Sequence, residues 1–316
     1  MYTLNYPKPE PLVPRRLRLE VGERTGPRGE IWRELDEDSV RGAAERLKDA
    51  EVEAVAICLL HSYANPAHEL RTAELVREVL GDGAFVTISS DILPEIREYE
   101  RTSTTVINAY LGPILRRYTA SLLSHLSSIG VGAPVDIMKS DGGVMSVRSA
   151  GEKPAYLVES GPAAGVIGAA RIGGADGPDA ITLDMGGTTA KASIGEHGDV
   201  ARTGDYEVGA GINLSSKLVM GGGYALKLPV IDISEIGAGG GSIVSIDRGG
   251  LLHVGPESAG AMPGPVAYDA GGTDATFTDA VLTLGYLNPG HLVGGGLALN
   301  RDKAIAALDE QVARPL

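Results

Sequence analysis

The stretch Ile181-Thr182-Leu183-Asp184-Met185-Gly186-Gly187-Thr188-Thr189 decides how this chain is read. A short apolar strand ends in an Asp and runs into a Gly-Gly-Thr-Thr turn, the form of a phosphate-binding β-hairpin. The Asp184 carboxylate can organise a hydrated Mg²⁺. Gly186 and Gly187 let backbone N–H groups approach phosphate oxygens with no Cβ in the way. The Thr188 and Thr189 hydroxyls add short-range donors. ATP-dependent chemistry is therefore the leading expectation. Asp-x-Gly-Gly also occurs in ordinary tight turns, so the residues around the motif must carry the rest of the argument.

Working outward, the glycines are the compositional outlier. There are 44 in 316 residues, and many lie after residue 140, in Asp141-Gly142-Gly143, Gly221-Gly222-Gly223, Gly239-Gly240-Gly241, Gly271-Gly272 and Gly294-Gly295-Gly296. Repeated tight loops between apolar strands point either to a site built from several backbone turns or to a β-rich fold with many hairpins. Hydrophobic residues make up 43% and charged residues 22%, as in a soluble globular protein. A net charge of −13 argues against a broad nucleic-acid surface. Any anionic nucleotide would have to be held by loops, helix ends and a metal. The single cysteine, Cys58, excludes an intrachain disulfide and fits a reducing, cytoplasmic compartment. No apolar run reaches the ~20 residues that span a bilayer, so no membrane association is expected.

Element by element, the pattern predicts an α/β layer. Leu17 to Val21 alternates like an edge strand. Residues 36–50 read as an amphipathic helix, with Val40, Ala43, Ala44 and Leu47 on one face. Residues 52–60 form a strongly apolar strand, expected to be central and parallel. Asn65-Pro66 starts a helix to Leu80, and 85–89 is the next strand. Residues 95–129 are mostly helical, with Gly112-Pro113 expected to break or kink the helix. A strand at 135–139 leads into the Asp141 turn, and Ser160 opens a helix of small residues. A return strand follows the signature turn at 191–194, a hairpin surrounds Arg248-Gly249-Gly250, and helices follow near 279–287 and 302–312. Cys58 reads as a small core residue, Asp279 as a helix cap, and Glu98, Glu100 and Arg101 as a charged helix face. Asp141 and Glu159 are weaker catalytic candidates. His61 and His68 lack the spacing of a metal pair.

Several segments together resemble the hydantoinase A / 5-oxoprolinase (N-methylhydantoinase A) family. They are Leu59-Leu60-His61-Ser62-Tyr63-Ala64-Asn65-Pro66-Ala67-His68-Glu69, Glu98-Tyr99-Glu100-Arg101-Thr102-Ser103-Thr104-Thr105 and Ser160-Gly161-Pro162-Ala163-Ala164-Gly165. The others are Asp184-Met185-Gly186-Gly187-Thr188-Thr189, Gly237-Ala238-Gly239-Gly240-Gly241-Ser242-Ile243 and Gly255-Pro256-Glu257-Ser258-Ala259-Gly260. The resemblance implies an actin/Hsp70/sugar-kinase-like (ribonuclease H-like) α/β nucleotide-binding fold, here incomplete at both ends. It divides the chain into residues 1–95, the end of the family's N-terminal domain, and 96–316, the core domain. It implies ATP and Mg²⁺, with Asp184 holding the metal and acting in catalysis. Gly186, Gly187, Thr188 and Thr189 would line the phosphates, and Gly239, Gly240, Gly241 and Ser242 the nucleoside.

The implied activity is ATP-dependent opening of a cyclic amide, a hydantoin or 5-oxoproline, by phosphorylation of the amide oxygen. The partner implied is a hydantoinase B-type subunit. An acetone- or acetophenone-type carboxylase subunit is the alternative within the family, and a non-catalytic nucleotide-binding fragment the alternative outside it. Two departures stand out. The family's first phosphate hairpin, Gly-x-Asp-x-Gly-Gly-Thr, has no counterpart before residue 180. Where many members carry Thr-Asp after the turn, this chain has Ala190-Lys191, and Lys191 is either a point charge on a phosphate or a solvated strand residue.

Overall fold

The structure, a computed structural model, describes residues 9–173, 179–197, 199–209 and 223–316. Gly221 and Gly222 of the third glycine run lie outside the described residues. Two compact units emerge. Among the described residues, the first holds 9–173, 199–209 and 223–232, and the second holds 179–197 and 233–316.

In the first unit the expected α/β layer is present. Strands Ala54–Ile57 and Phe85–Ile88 pair in parallel, Ala54 opposite Phe85 and Ile57 opposite Ile88. A parallel pair needs a crossover, and helix Ala67–Leu80 supplies it. Helix Glu37–Asp49 starts at Asp36, whose side chain accepts from the Ser39 N–H. Its Val40 and Ala44 pack with Val55, Ile57, Ala73, Leu75, Val76 and Val86 as one core. The start of the second helix differs by one residue from the expected cap. Asn65 Oδ1 accepts from Ala67 N–H at 3.1 Å, while its amide donates to Gly29 O across 36 residues. A second core gathers Leu93, Ile107, Ala155, Tyr206, Leu226, Leu228 and Val230.

Three expectations fail in this unit. Residues 17–21 form no strand; a short 3₁₀ turn, Arg15–Leu17, ends there. Helix Glu98–Ser128 runs unbroken for 31 residues through Pro113. The preceding residue is Gly112, which has no Cβ for the proline ring to strike. The same missing Cβ admits the Phe85 ring, whose atoms would lie 2.4–2.6 Å from one. Tertiary packing thus offsets the lost helix hydrogen bond. Arg101, read as part of a solvated face, is 1% exposed. Its guanidinium donates to Glu95 O and Leu59 O, both at 2.8 Å, and lies over the Tyr63 ring.

The second unit contains the signature hairpin. Strand Ala180–Met185 pairs antiparallel with Ala190–Glu196, Asp184 opposite Lys191 and Met185 opposite Ala190. Strand Ser234–Ile236 extends the sheet on the far side, Glu235 opposite Lys191. The predicted hairpin around residue 249 forms from Ser242–Ile246 and Leu252–Ser258. Helices Phe277–Thr283 and Arg301–Leu308 pack through Ala267, Leu282, Leu299 and Ala304. No helix among the described residues is long and apolar enough to cross a membrane.

Candidate functional site: the 186–189 turn and its glycine backing

The strand ending at Met185 delivers a turn closed by one hydrogen bond, Gly186 N–H to Thr189 O at 3.0 Å. Among the described residues no group accepts from the N–H of Gly187, Thr188 or Thr189, and none engages the Thr188 or Thr189 hydroxyl or the Asp184 carboxylate. Asp184, Gly186, Gly187 and Thr188 are exposed, so these donors and acceptors face solvent rather than the core. Gly187 has no positive φ, and a Cβ built on it would meet nothing within 4 Å. Neither conformation nor neighbouring atoms explain that glycine; open space in front of it does. Three free N–H groups, two hydroxyls and a carboxylate, with room beside them, make a donor set that suits a polyphosphate bearing a hard cation on its oxygens.

The 239–242 loop packs directly against the turn. Two of its N–H groups are spent on the turn: Gly240 donates to Gly186 O at 2.9 Å and Gly241 to Gly187 O at 2.7 Å. A Cβ on Gly239 would sit 2.4 Å from Thr188 C and 2.6 Å from Thr188 N. On Gly241 it would meet Ser258 Oγ at 2.8 Å. At Gly239 the missing Cβ lets two backbones touch, and at Gly241 it makes room for a side chain. Ser242 is 2% exposed, and its hydroxyl accepts from Gly239 N–H at 2.9 Å, fixing the loop from within. The loop therefore backs the turn in this structure.

Lys191 is not a solvated strand residue. Its ammonium lies 3.5 Å from Glu235 on the next strand, both side chains largely covered. Since Asp184 and Glu235 both stand opposite Lys191, the three residues share one face of the sheet.

Sequence reasoning missed one participant. Thr278 reaches the back of the loop, with N–H and hydroxyl both donating to Gly240 O at 2.8 Å. It sits in the first turn of a helix held by a capping box between Thr276 and Asp279. The fully buried Asp279 carboxylate accepts from Thr276 N–H and hydroxyl, Ala267 N–H and Val266 N–H. Asp279, expected as the cap itself, is the third residue of the helix and Thr276 the cap; the target of Thr278, 38 residues away, had no signal in the sequence.

The remaining candidates are occupied locally, in the first unit. Burial alone would raise the Asp141 carboxyl, but the Lys139 ammonium at 2.8 Å and the Gly143 N–H outweigh it and hold it below its ordinary value. Burial, then the charge of Glu69, pushes the Cys58 thiol up to about 12. His68 pairs with Glu23 at 2.9 Å, and His61 Nδ1 lies 2.8 Å from Thr25 O.

Known families match this arrangement along nearly the whole chain. The model of the hydantoinase/oxoprolinase family covers residues 101–316, and that of the hydantoinase/oxoprolinase N-terminal region covers 1–80. The chain belongs to the hydantoinase/oxoprolinase family. An uncharacterized protein of Methanocaldococcus jannaschii is 43% identical over 99% of this chain and 46% of its own length. The caprolactamase subunit alpha of Pseudomonas jessenii is 38% identical over all of this chain and 43% of its own. The crystal structure of that ATP-dependent caprolactamase superposes with a TM-score of 0.71 over 100% of this chain and 44% of the other. A nucleotide-free structure of acetone carboxylase, an enzyme of ATP-dependent acetone carboxylation, superposes with a TM-score of 0.74 at 32% identity over 97% and 42%. The chain thus spans less than half the length of these relatives, and its mixed α/β architecture is theirs.

Proposed function

We propose that this hydantoinase/oxoprolinase chain carries one phosphate-gripping half of an ATP-dependent amidohydrolase that opens a cyclic amide of the hydantoin, 5-oxoproline or lactam type. The observation that carries the reading is the 186–189 turn, with its unspent N–H groups and the open space before Gly187. The likeness to a caprolactamase supports the substrate class. The fold is read as actin/Hsp70-like, with residues 1–95 belonging to the family's N-terminal domain and 96–316 to its core. A B-type second subunit and a cytoplasmic setting belong to the same reading.

An unstrained amide resists water because resonance stabilises its carbonyl. ATP, when bound, supplies a phosphoryl group that makes the amide oxygen a leaving group, so that amide, ATP and two waters give the ring-opened amino acid, ADP and phosphate. The chain's own residues provide position and charge, which is most of what phosphoryl transfer asks of a protein. Gly187, Thr188 and Thr189 N–H would donate to phosphate oxygens, and the two hydroxyls would add to them. Asp184 would hold Mg²⁺ or one of its waters. Lys191, paired with Glu235 on the same sheet face as Asp184, would offset part of the negative charge that face presents to a polyphosphate. Gly239, Gly240, Gly241 and Ser242 shape the turn, and the same four residues would line the nucleoside.

The test is ADP release by the chain with its partner subunit, measured across hydantoin, 5-oxoproline and caprolactam. Release stimulated by one of these rings is expected. Release indifferent to all of them would contradict the amidohydrolase reading. A carboxylase subunit is the second reading, favoured by the superposition on acetone carboxylase, and release dependent on a ketone and bicarbonate would establish it instead.

A further inference from the structure

We infer that Thr278 and the Ser242 backbone are positioning residues for the phosphate turn, acting through two parallel relays of peptide groups. This rests on the phosphate-binding reading above. In a trans peptide the C=O and the following N–H point in opposite directions. Thr278 donates twice to Gly240 O, and the N–H of that same peptide, on Gly241, donates to Gly187 O at 2.7 Å. The N–H of the Gly187 peptide belongs to Thr188, and it points out of the turn. The second relay begins at Ser242 N–H, which donates to Gly239 O at 3.0 Å. The Gly239 peptide ends in Gly240 N–H, which donates to Gly186 O at 2.9 Å, and the Gly186 peptide ends in the outward Gly187 N–H.

Each relay therefore runs from a buried donor, through two peptide planes, to a free N–H at the site. Two consequences follow. The carbonyls of Gly186 and Gly187 are fixed inward, which fixes the N–H groups of Gly187 and Thr188 outward before any anion arrives. Hydrogen bonds in series also polarise one another, so a donor at the buried end strengthens the donor at the open end. Thr278 can serve in this way because it is 7% exposed and its helix is locked by Asp279. Its hydroxyl would lie 2.7 Å from a Cβ on Gly240, so the fit tolerates no side chain there.

The experiment titrates the chain with Mg·ATP, comparing Thr278→Val, Thr278→Ser and Asp184→Asn. Amide hydrogen exchange at Gly240 and Gly241 is followed in the same proteins without nucleotide. Thr278→Val removes one of the two donors to Gly240 O and should weaken Mg·ATP about five- to tenfold. It should also speed exchange at Gly241 by a similar factor, whereas Thr278→Ser, which keeps the hydroxyl, should match the parent in both. If Asp184→Asn weakens binding while Thr278→Val leaves binding and exchange unchanged, the relay is wrong and the phosphate site stands. If the folded parent does not bind Mg·ATP, the phosphate reading fails and the relay with it. If Thr278→Ser behaves like Thr278→Val, the effect is one of packing, and the positioning role is overturned.

Discussion

Gly187 and Gly239 face each other across the turn and its backing loop, and alanine at the two positions should have opposite consequences. Neither glycine has a positive φ, so alanine strains neither backbone. At Gly187 a Cβ meets nothing of the chain within 4 Å. Gly187→Ala should leave the fold intact, and by restricting the unfolded chain it could add about 0.4–1 kcal/mol of stability. At Gly239 a Cβ would lie 2.4 Å from Thr188 C, where ordinary contact begins at 3.4 Å, so the turn must retreat by about 1 Å. Overpacking of that kind costs about 1–3 kcal/mol. For nucleotide the two variants should agree. A methyl on residue 187 occupies the space a phosphate oxygen needs, and a turn moved ~1 Å has lost its geometry, so each should lower affinity by about 10- to 100-fold. The assay is thermal unfolding paired with Mg·ATP titration. Gly187→Ala should hold its melting temperature and lose binding; Gly239→Ala should lose both. A Gly187→Ala protein that binds Mg·ATP like the parent would refute the claim that ligand fills that space.

Three further outcomes are expected. Gly112→Ala drives a Cβ into the Phe85 ring and should destabilise the first unit by about 1–3 kcal/mol in denaturant unfolding; an unchanged midpoint would show that the ring swings aside. Cys58, with its thiol at about 12, should resist iodoacetamide at pH 8 in the native chain and react within minutes once denatured, because only the thiolate attacks; rapid native alkylation would show that the site is open. The Asp141 carboxyl, held low in the folded state, should contribute stability that is complete above the unfolded value of about 3.9 and is lost as pH falls through the folded value. Asp141→Asn should remove that part of the acid limb, and an unaltered acid-unfolding profile would contradict the Lys139–Asp141 pairing.

The sequence was informative where one period or one local bond decides structure. The apolar run near residue 55, a helix and a second apolar run could only be a parallel pair with a crossover, and Ala54–Ile57 and Phe85–Ile88 form one. The signature hairpin followed from Asp184 and its glycines, and a helix start near Asp279 was legible although the cap is Thr276. What escaped depends on partners distant in sequence. Pro113 looked like a helix break or kink because nothing local announced that Phe85 would fill the space above Gly112. Arg101 looked solvated because its carbonyl partner, Leu59 O, is 42 residues away. The glycines at 239–241 were recognisable as backbone that something must approach. That the approaching surface is the 186–188 turn became visible only in three dimensions.

The account's central claim is that the Asp184 turn is a nucleotide phosphate site. Calorimetric titration of the chain with ATP and Mg²⁺, with Asp184→Asn in parallel, tests it most directly. The account predicts binding that requires Mg²⁺ and falls at least about tenfold in Asp184→Asn, the equivalent of ~1.4 kcal/mol. A folded chain that takes up no Mg·ATP, or an Asp184→Asn protein that binds it as well as the parent, would contradict the claim.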